Sequence, residues 1–295
     1  MKVQFECPSC LLNRGTHAIS KATDSEQLRM QAILEVVNVL CENLSPKVTP
    51  SYLGTLRDRA IRKITGNPDP YRLEKEKSNE YALASLPMAI EYVESGKDWR
   101  EKFKRACLCS AVGNAMEFDI SGYSFKYQQF SELLNSAEKS LGIDHRDRLY
   151  RLVSESKETL LLTDNAGEIV FDTILVRLIK QLGSHVTVAV KERPVLNDAM
   201  IADAQTAGMM DVADYLLTTG NDWVGFNRDE SSEEFLDIYS KADLVIAKGM
   251  GYLETLTEEP LSDRNAFILK AKCQCVADYL KIERGKYAIM VVESS

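Results

Sequence analysis

The sequence predicts an α/β protein, a three-layer α/β/α Rossmann-like sheet of mostly parallel strands preceded by an N-terminal all-helical domain. Three observations carry this expectation. From Pro8 to about Leu152, apolar residues recur at three- and four-residue spacing, the period of an amphipathic helix. After about Ser154 the texture changes to short apolar runs, each followed by a turn and a helical stretch, as in parallel strands joined by helical crossovers. The chain has 295 residues, room for two domains of ordinary size. The change of texture divides it into 1–153, helical, and 154–295, α/β/α.

In the first part the long helical stretches are 25–43, 68–95 and 97–113. Thr23-Asp24-Ser25 offers caps ahead of Ile33, Leu34 and Val37, and Gly66-Asn67-Pro68-Asp69-Pro70 breaks the pattern, because proline removes a helical donor. In the second part the expected strands are 159–163, 186–190, 215–218, 244–247, 266–269 and 288–292. The polar segment 220–234 reads as a loop leading into a helix. There is no internal repeat and no low-complexity stretch.

Composition narrows the function. Hydrophobic residues make up 45% and charged residues 27%, the balance of a globular chain. The net charge is −8, from 36 basic against 44 acidic residues, and neither sign gathers into a block, which disfavours a grip on nucleic-acid phosphates. No apolar run approaches the ~18 residues of a membrane span, and residues 1–14 lack the apolar core of a secretory signal. The expectation is a cytoplasmic protein, a monomer or simple homo-oligomer, acting on a small substrate or a protein partner rather than on nucleic acid or a membrane.

Open parallel sheets bind ligands beyond the carboxyl ends of their strands. Three such positions are chemically loaded. Thr163 leads into Asp164-Asn165-Ala166-Gly167-Glu168, Val190 into Lys191 and then Asn197-Asp198, and Ala247 into Lys248-Gly249-Met250-Gly251. A carboxylate beside an amide oxygen, with a second carboxylate from the next loop, makes a hard oxygen site suited to Mg²⁺ or Mn²⁺. The helix expected at 168–182 would offer free N–H groups and a positive dipole end to an anion. Lys248, followed by glycines that allow close backbone approach, would neutralise phosphate oxygens. Spacing alone leaves a second reading of Asp164-Asn165, an Asx-turn that caps the helix, and a glycine turn such as Lys248-Gly249-Met250-Gly251 serves backbone geometry more often than ligand binding.

Thr163 to Asp172, Thr-Asp-Asn-Ala-Gly-Glu-Ile-Val-Phe-Asp, resembles the signature of the DUF89 family, the damage-control phosphatases. Lys191-x-x-Pro194-x-x-Asn197-Asp198-Ala199 is similar to that family's second motif and Lys248-Gly249-x-Gly251-x-x-Glu254-Thr255-Leu256 to its third. The similarity extends to Gly113-Asn114-Ala115, to Lys270-Ala271-Lys272-Cys273 and to Cys7-Pro8-Ser9-Cys10, as in the microbial branch with an N-terminal Cys-x-x-Cys. It implies one divalent ion (Mg, Mn, Co or Ni) held by Asp164, Asn165 and Asp198. Lys248 and Asn114 would reach the substrate phosphate, joined by Lys191, Gly249 and Glu254 from the motifs. Met250 and Tyr252 depart from the family's frequent Gln and Asn, which bears on the substrate more than on the metal.

The mechanism this implies is metal-assisted hydrolysis of a small phosphomonoester, such as a sugar phosphate or damaged phosphometabolite, with Asp198 or Glu168 taking the proton of the attacking water. A covalent path through Asp164 stands as an alternative, although Ala166 occupies the second carboxylate position of the Asp-x-Asp-x-Thr pattern. Two other readings are an S-adenosylmethionine-dependent carboxyl methyltransferase, for which Gly167 alone is a poor glycine loop, and a non-catalytic metal or phospho-ligand binding protein.

The seven cysteines are odd in number and sparse, so reduced thiols are the default. Cys7-x-x-Cys10 and Cys273-x-Cys275 together offer four thiolates, enough for a structural zinc site or a redox centre if the ends of the chain meet. Cys41, Cys107 and Cys109 lie in helical stretches and are expected in the core. His17, His145 and His185 have no ligand-spaced companion.

Overall fold

The computed structural model describes residues 1–113 and 127–293. Helices α1 (Cys7–Ala22), α2 (Glu26–Asn43) and α3 (Pro50–Thr65) pack around Ala18, Ile19, Val36 and Ile61. Their ends follow from local chemistry. Ser25 accepts a hydrogen bond from the Leu28 N–H, Thr49 accepts one from Tyr52 with Pro50 at the first helical position, and α3 stops at Gly66, whose φ of 70° closes the last turn. Then come α4 (Arg72–Glu94), α5 (Trp99–Gly113) and α6 (Tyr127–Lys139).

The sheet region runs β1 (Leu141–Asp144), α7 (Arg146–Glu155), β2 (Glu158–Leu162), α8 (Glu168–Gln181), β3 (His185–Val190), α9 (Ile201–Thr206) and β4 (Tyr215–Thr218). It continues with α10 (Glu233–Lys241), β5 (Leu244–Lys248), α11 (Gly249–Leu256), β6 (Asn265–Lys270), α12 (Gln274–Leu280) and β7 (Tyr287–Val291). The strands form one sheet in the order β1-β7-β6-β5-β2-β3-β4, and only the β6–β7 pair is antiparallel.

All six expected strands are present. The seventh, β1, lies ahead of the 153/154 division. Its four residues Leu-Gly-Ile-Asp alternate between half-buried and exposed at the sheet edge, too short and too wet to show as an apolar run. Packing also crosses that division. Side chains of β2 alternate between two cores, with Leu161 among α4, α5 and α8 on one face, and Leu160 and Leu162 among α3, α10 and α11 on the other. Helices from the first half thus cover the sheet directly and complete the three layers. Leu160, Leu161 and Leu162 are each 0% exposed, and burial of such a side chain stabilises by about 1.5–3 kcal/mol, so an Asp in this run would break the fold.

Cys107 and Cys109 are buried as expected, but Cys41 is exposed. Only Ala32 and Val36 of α2 are fully buried, and Met30 and Leu34 face outward with it. Among the described residues no helix is long and apolar enough to cross a membrane.

Strand order places a crevice. The chain runs from β2 outward through β3 to β4, then returns to the other side of β2 as β5 and continues outward to β6. The loops after β2 and β5 therefore leave in opposite directions, and this is where open parallel sheets bind ligands.

Candidate metal and phosphate site

Asp164 and Asn165 follow β2, and Asp198 lies in the loop after β3. Backbone bonds hold the two loops together. Asn165 and Asp198 form an antiparallel bridge, the Ala199 N–H donates to the Asp164 carbonyl at 2.7 Å, and the Ala166 N–H to the Asn197 carbonyl at 2.9 Å. The Asn165 amide donates from Nδ2 to Asp164 Oδ2 at 2.8 Å and to Glu168 Oε2 at 2.9 Å, so its oxygen is the end left to offer a cation.

The two carboxylates are electrostatically opposed. Burial, and then the charge of Asp164, push the pKa of Asp198 well above the usual carboxylate range, while Lys191 and Lys75 pull it down. Lys191 stands 4.0 Å from Asp198, and its Nζ donates to the Gly225 carbonyl at 2.7 Å and the Tyr252 hydroxyl at 3.2 Å. Burial lowers Lys191 itself to about 8, against the pull of Asp198 and Asp164. Two crowded carboxylates, one of them 4% exposed, form a site whose charge a divalent cation would balance.

The donors fit such an ion. Two carboxylates and an amide oxygen are hard ligands, and so small a set suits an ion that keeps several waters and takes the rest of its shell from a substrate. Among the described residues no three His, Cys, Asp or Glu side chains stand close enough together to enclose an ion by themselves.

Gly249 packs against this site from β5. A Cβ at that position would lie 2.0 Å from Asp164 Oδ2, and the backbone sits at φ +79°, where only glycine is at ease. Gly249 also opens α11, whose first turn has no side-chain cap. The N-terminus of α8 is different. Gly167, not Asp164 or Asn165, is its N-cap, and no side chain caps it. The Gly167 N–H donates to Asn79 Oδ1 at 2.7 Å, and those of Ile169 and Val170 donate to the Asn165 and Gly167 carbonyls. The helix end expected to grip an anion thus spends most of its donors on protein, and the capping reading of Asp164-Asn165 is not the geometry observed.

Lys248 departs most from expectation. Its side chain is 0% exposed, and Nζ donates to Glu168, to Asp172 Oδ1 at 2.8 Å and to the Ser110 carbonyl at 3.1 Å. Ser110 also donates to Asp172 Oδ1 at 2.6 Å. Burial works to lower the pKa of Lys248, but the charges of Asp172 and Glu168 outweigh it and hold the ammonium well above its usual range. Glu168, 1% exposed, is bound into the same cluster. These residues brace the site from beneath. Glu254 accepts from Ser51 of α3 at 2.5 Å and joins α11 to the helical layer. Asn114 falls outside the described residues.

Sequence reasoning missed Asn79, which also donates to Asp203 at 2.7 Å, and Asp172 with Ser110. Asp172 had a signal. Glu168 and Asp172 are i and i+4 on the first turns of α8, whose other residues from Ile169 to Val176 are all buried and, Thr173 apart, apolar, so two carboxylates shared one inward face and called for a cation. Asn79 had none, because its role depends on how α4 lies over the sheet.

A family model for the damage-control phosphatase ARMT1-like domain matches residues 3–287. A damage-control phosphatase from Archaeoglobus fulgidus is 37% identical over 294 residues, covering 99% of this chain and 100% of the relative. Another from Pyrococcus horikoshii is 33% identical over 293 residues, covering 98% of each chain. The crystal structure of a DUF89 family protein from Pyrococcus horikoshii superposes with a TM-score of 0.88 at 33% identity, covering 99% of both chains.

Proposed function

The chain belongs to the damage-control phosphatase ARMT1-like (DUF89) family, and on that premise we propose that it is a divalent-metal-dependent phosphatase acting on small phosphomonoesters such as sugar phosphates or damaged phosphometabolites. The observation that carries metal dependence is the crowding of Asp198 by Asp164 at the crevice between β2 and β5. Asp164, Asp198 and the Asn165 oxygen would hold the ion, which when bound supplies a Lewis acid for a phosphoryl oxygen and a water of lowered pKa.

The chain's own residues then have separate tasks. Asn165 and Gly249 fix the Asp164 carboxylate, one by hydrogen bond and one by contact. The uncapped first turn of α11, beside Asp164, is the helix end suited to the phosphate, since no side chain caps its N–H groups and a dipole adds positive potential. Lys248 acts through Glu168 and Asp172 as a positioning residue, and Lys191, tied to Gly225 in the segment after β4 and to Tyr252 of α11, keeps both against Asp198. With Glu168 bound to Lys248, Asp198 is the better placed of the two expected proton acceptors.

The test is phosphate release from a panel of phosphomonoesters by protein stripped of metal and then given Mg²⁺, Mn²⁺, Co²⁺ or Ni²⁺. Activity that returns with a metal and is lost in Asp164→Ala and Asp198→Asn supports the proposal. Full activity in excess chelator, or in Asp164→Ala, refutes it.

A further inference from the structure

Separate from the carboxylate site, the fold brings the first and last cysteine motifs of the chain together. Cys7 opens α1, and Cys273 and Cys275 flank the start of α12 on the segment after β6. Cys7 Sγ lies 3.8 Å from Cys275 Sγ. That is far outside the ~2.05 Å of a disulfide. It matches the separation of two sulfurs on one tetrahedral ion, because a metal–sulfur bond of about 2.3 Å places the corners of the tetrahedron about 3.8 Å apart.

Two further features belong to such sites. Backbone N–H groups already point at the sulfurs, from Gln4 to Cys7 Sγ at 3.3 Å and from Val276 to Cys273 Sγ at 3.4 Å, as donors that would stabilise thiolate charge. Cys10 is one helical turn from Cys7 on the same face, and Cys7 and Cys10 are both electrostatic neighbours of Cys273. As placed, three sulfurs do not yet converge. The pair that is set is buried, whereas Cys10 is exposed and Cys273 partly so, and closing the site requires these two to turn inward.

We propose that Cys7, Cys10, Cys273 and Cys275 form a closed tetrathiolate site for one zinc-type divalent ion, tying the N-terminal helix to the loop after β6. On binding, each thiol gives up its proton, including the one Cys275 shares with Glu6 at 3.5 Å. The site is independent of the phosphatase reading. Its place has a structural consequence, since the Lys272 N–H donates to Met250 Sδ at 3.4 Å, linking the cysteine loop to the first turn of α11.

Cobalt distinguishes the two sites. Bound by four thiolates it shows intense tetrahedral ligand-field bands and a thiolate-to-metal charge-transfer band, whereas an oxygen site gives only weak absorption. The full-length protein, reduced and freed of metal, would be titrated with Co²⁺. The expected result is one equivalent giving thiolate bands in the wild type and in Asp164→Ala. Those bands should be lost in Cys10→Ser/Cys273→Ser, whose less buried positions spare the core, and kept in Cys41→Ser. Total metal analysis of protein purified without chelator should find zinc that follows the same pattern. The proposal is overturned if reduced wild-type protein gives no thiolate band, if the band survives Cys10→Ser/Cys273→Ser, or if intact mass shows a Cys7–Cys275 disulfide in freshly isolated protein.

Discussion

Replacing Gly249 with alanine tests the geometry of the carboxylate site most directly. The added Cβ would stand 2.0 Å from Asp164 Oδ2 and 2.3 Å from its Cγ, where contacts under 3.0 Å essentially never occur. Either Asp164 or the turn must therefore move by about 1 Å or more. The φ of +79° adds strain of about 1–2 kcal/mol for a residue with a side chain, a loss a fold of this size tolerates. A displacement of about 1 Å in a catalytic constellation costs about 100-fold in rate, or about 2.7 kcal/mol of transition-state stabilisation, and a disturbed ligand costs about 10–100-fold in metal affinity. Gly249→Ala should thus fold, melt a few degrees lower, need more metal for half-maximal activity and lose about 100-fold in kcat/KM at saturating metal. Thermal melting and phosphate release across a metal titration measure these separately. A folded Gly249→Ala with wild-type kcat/KM and metal dependence would show that contact between α11 and Asp164 is irrelevant to the chemistry.

Lys248→Met leaves Glu168 and Asp172 buried without their cation and should cost about 3–5 kcal/mol in chemical denaturation, while Lys248→Met combined with Glu168→Gln and Asp172→Asn should recover much of it. Asn79→Ala removes partners from the Gly167 N–H and from Asp203, with an expected loss of about 1–3 kcal/mol and lower activity although Asn79 touches no proposed ligand of the ion. Burial works to raise Asp222, but hydrogen bonds and charge from Arg59 and Arg62 hold its pKa well below the ordinary range. The folded pKa being the lower one, the clamp between α3 and the segment 219–232 stabilises fully above about pH 4 and fades as pH falls toward the folded value. Melting temperature against pH should decline less steeply on the acid side in Asp222→Asn than in the wild type.

What the sequence made legible was whatever depends on the run of one strand and its following turn. Asp164, Asn165 and Asp198 were placed at strand ends by apolar runs alone, and the sheet brings their loops into register. Lys248 was read as an outward cation because it also ends a strand. Its direction is decided by α5 and α8, whose packing puts Ser110, Glu168 and Asp172 on the inner side. β1 escaped because a half-exposed edge strand of four residues carries no apolar run. Cys41 was assigned to the core on the apolar richness of α2, yet that helix turns Met30, Leu34 and Cys41 to the surface, since periodicity marks a stripe without saying what covers it.

The meeting of Cys7 with Cys275 also sets a clock. The partners are separated by 268 residues, and at ribosomal rates of about 5–20 residues per second the first waits roughly 13–54 s for the second to be made. Through that interval Leu11 and Leu53 lack the α12 side chains that share their core. The nascent chain must keep this apolar face from other contacts until almost its last helix emerges, so truncation near the C-terminus would unsettle the first helix as much as the last.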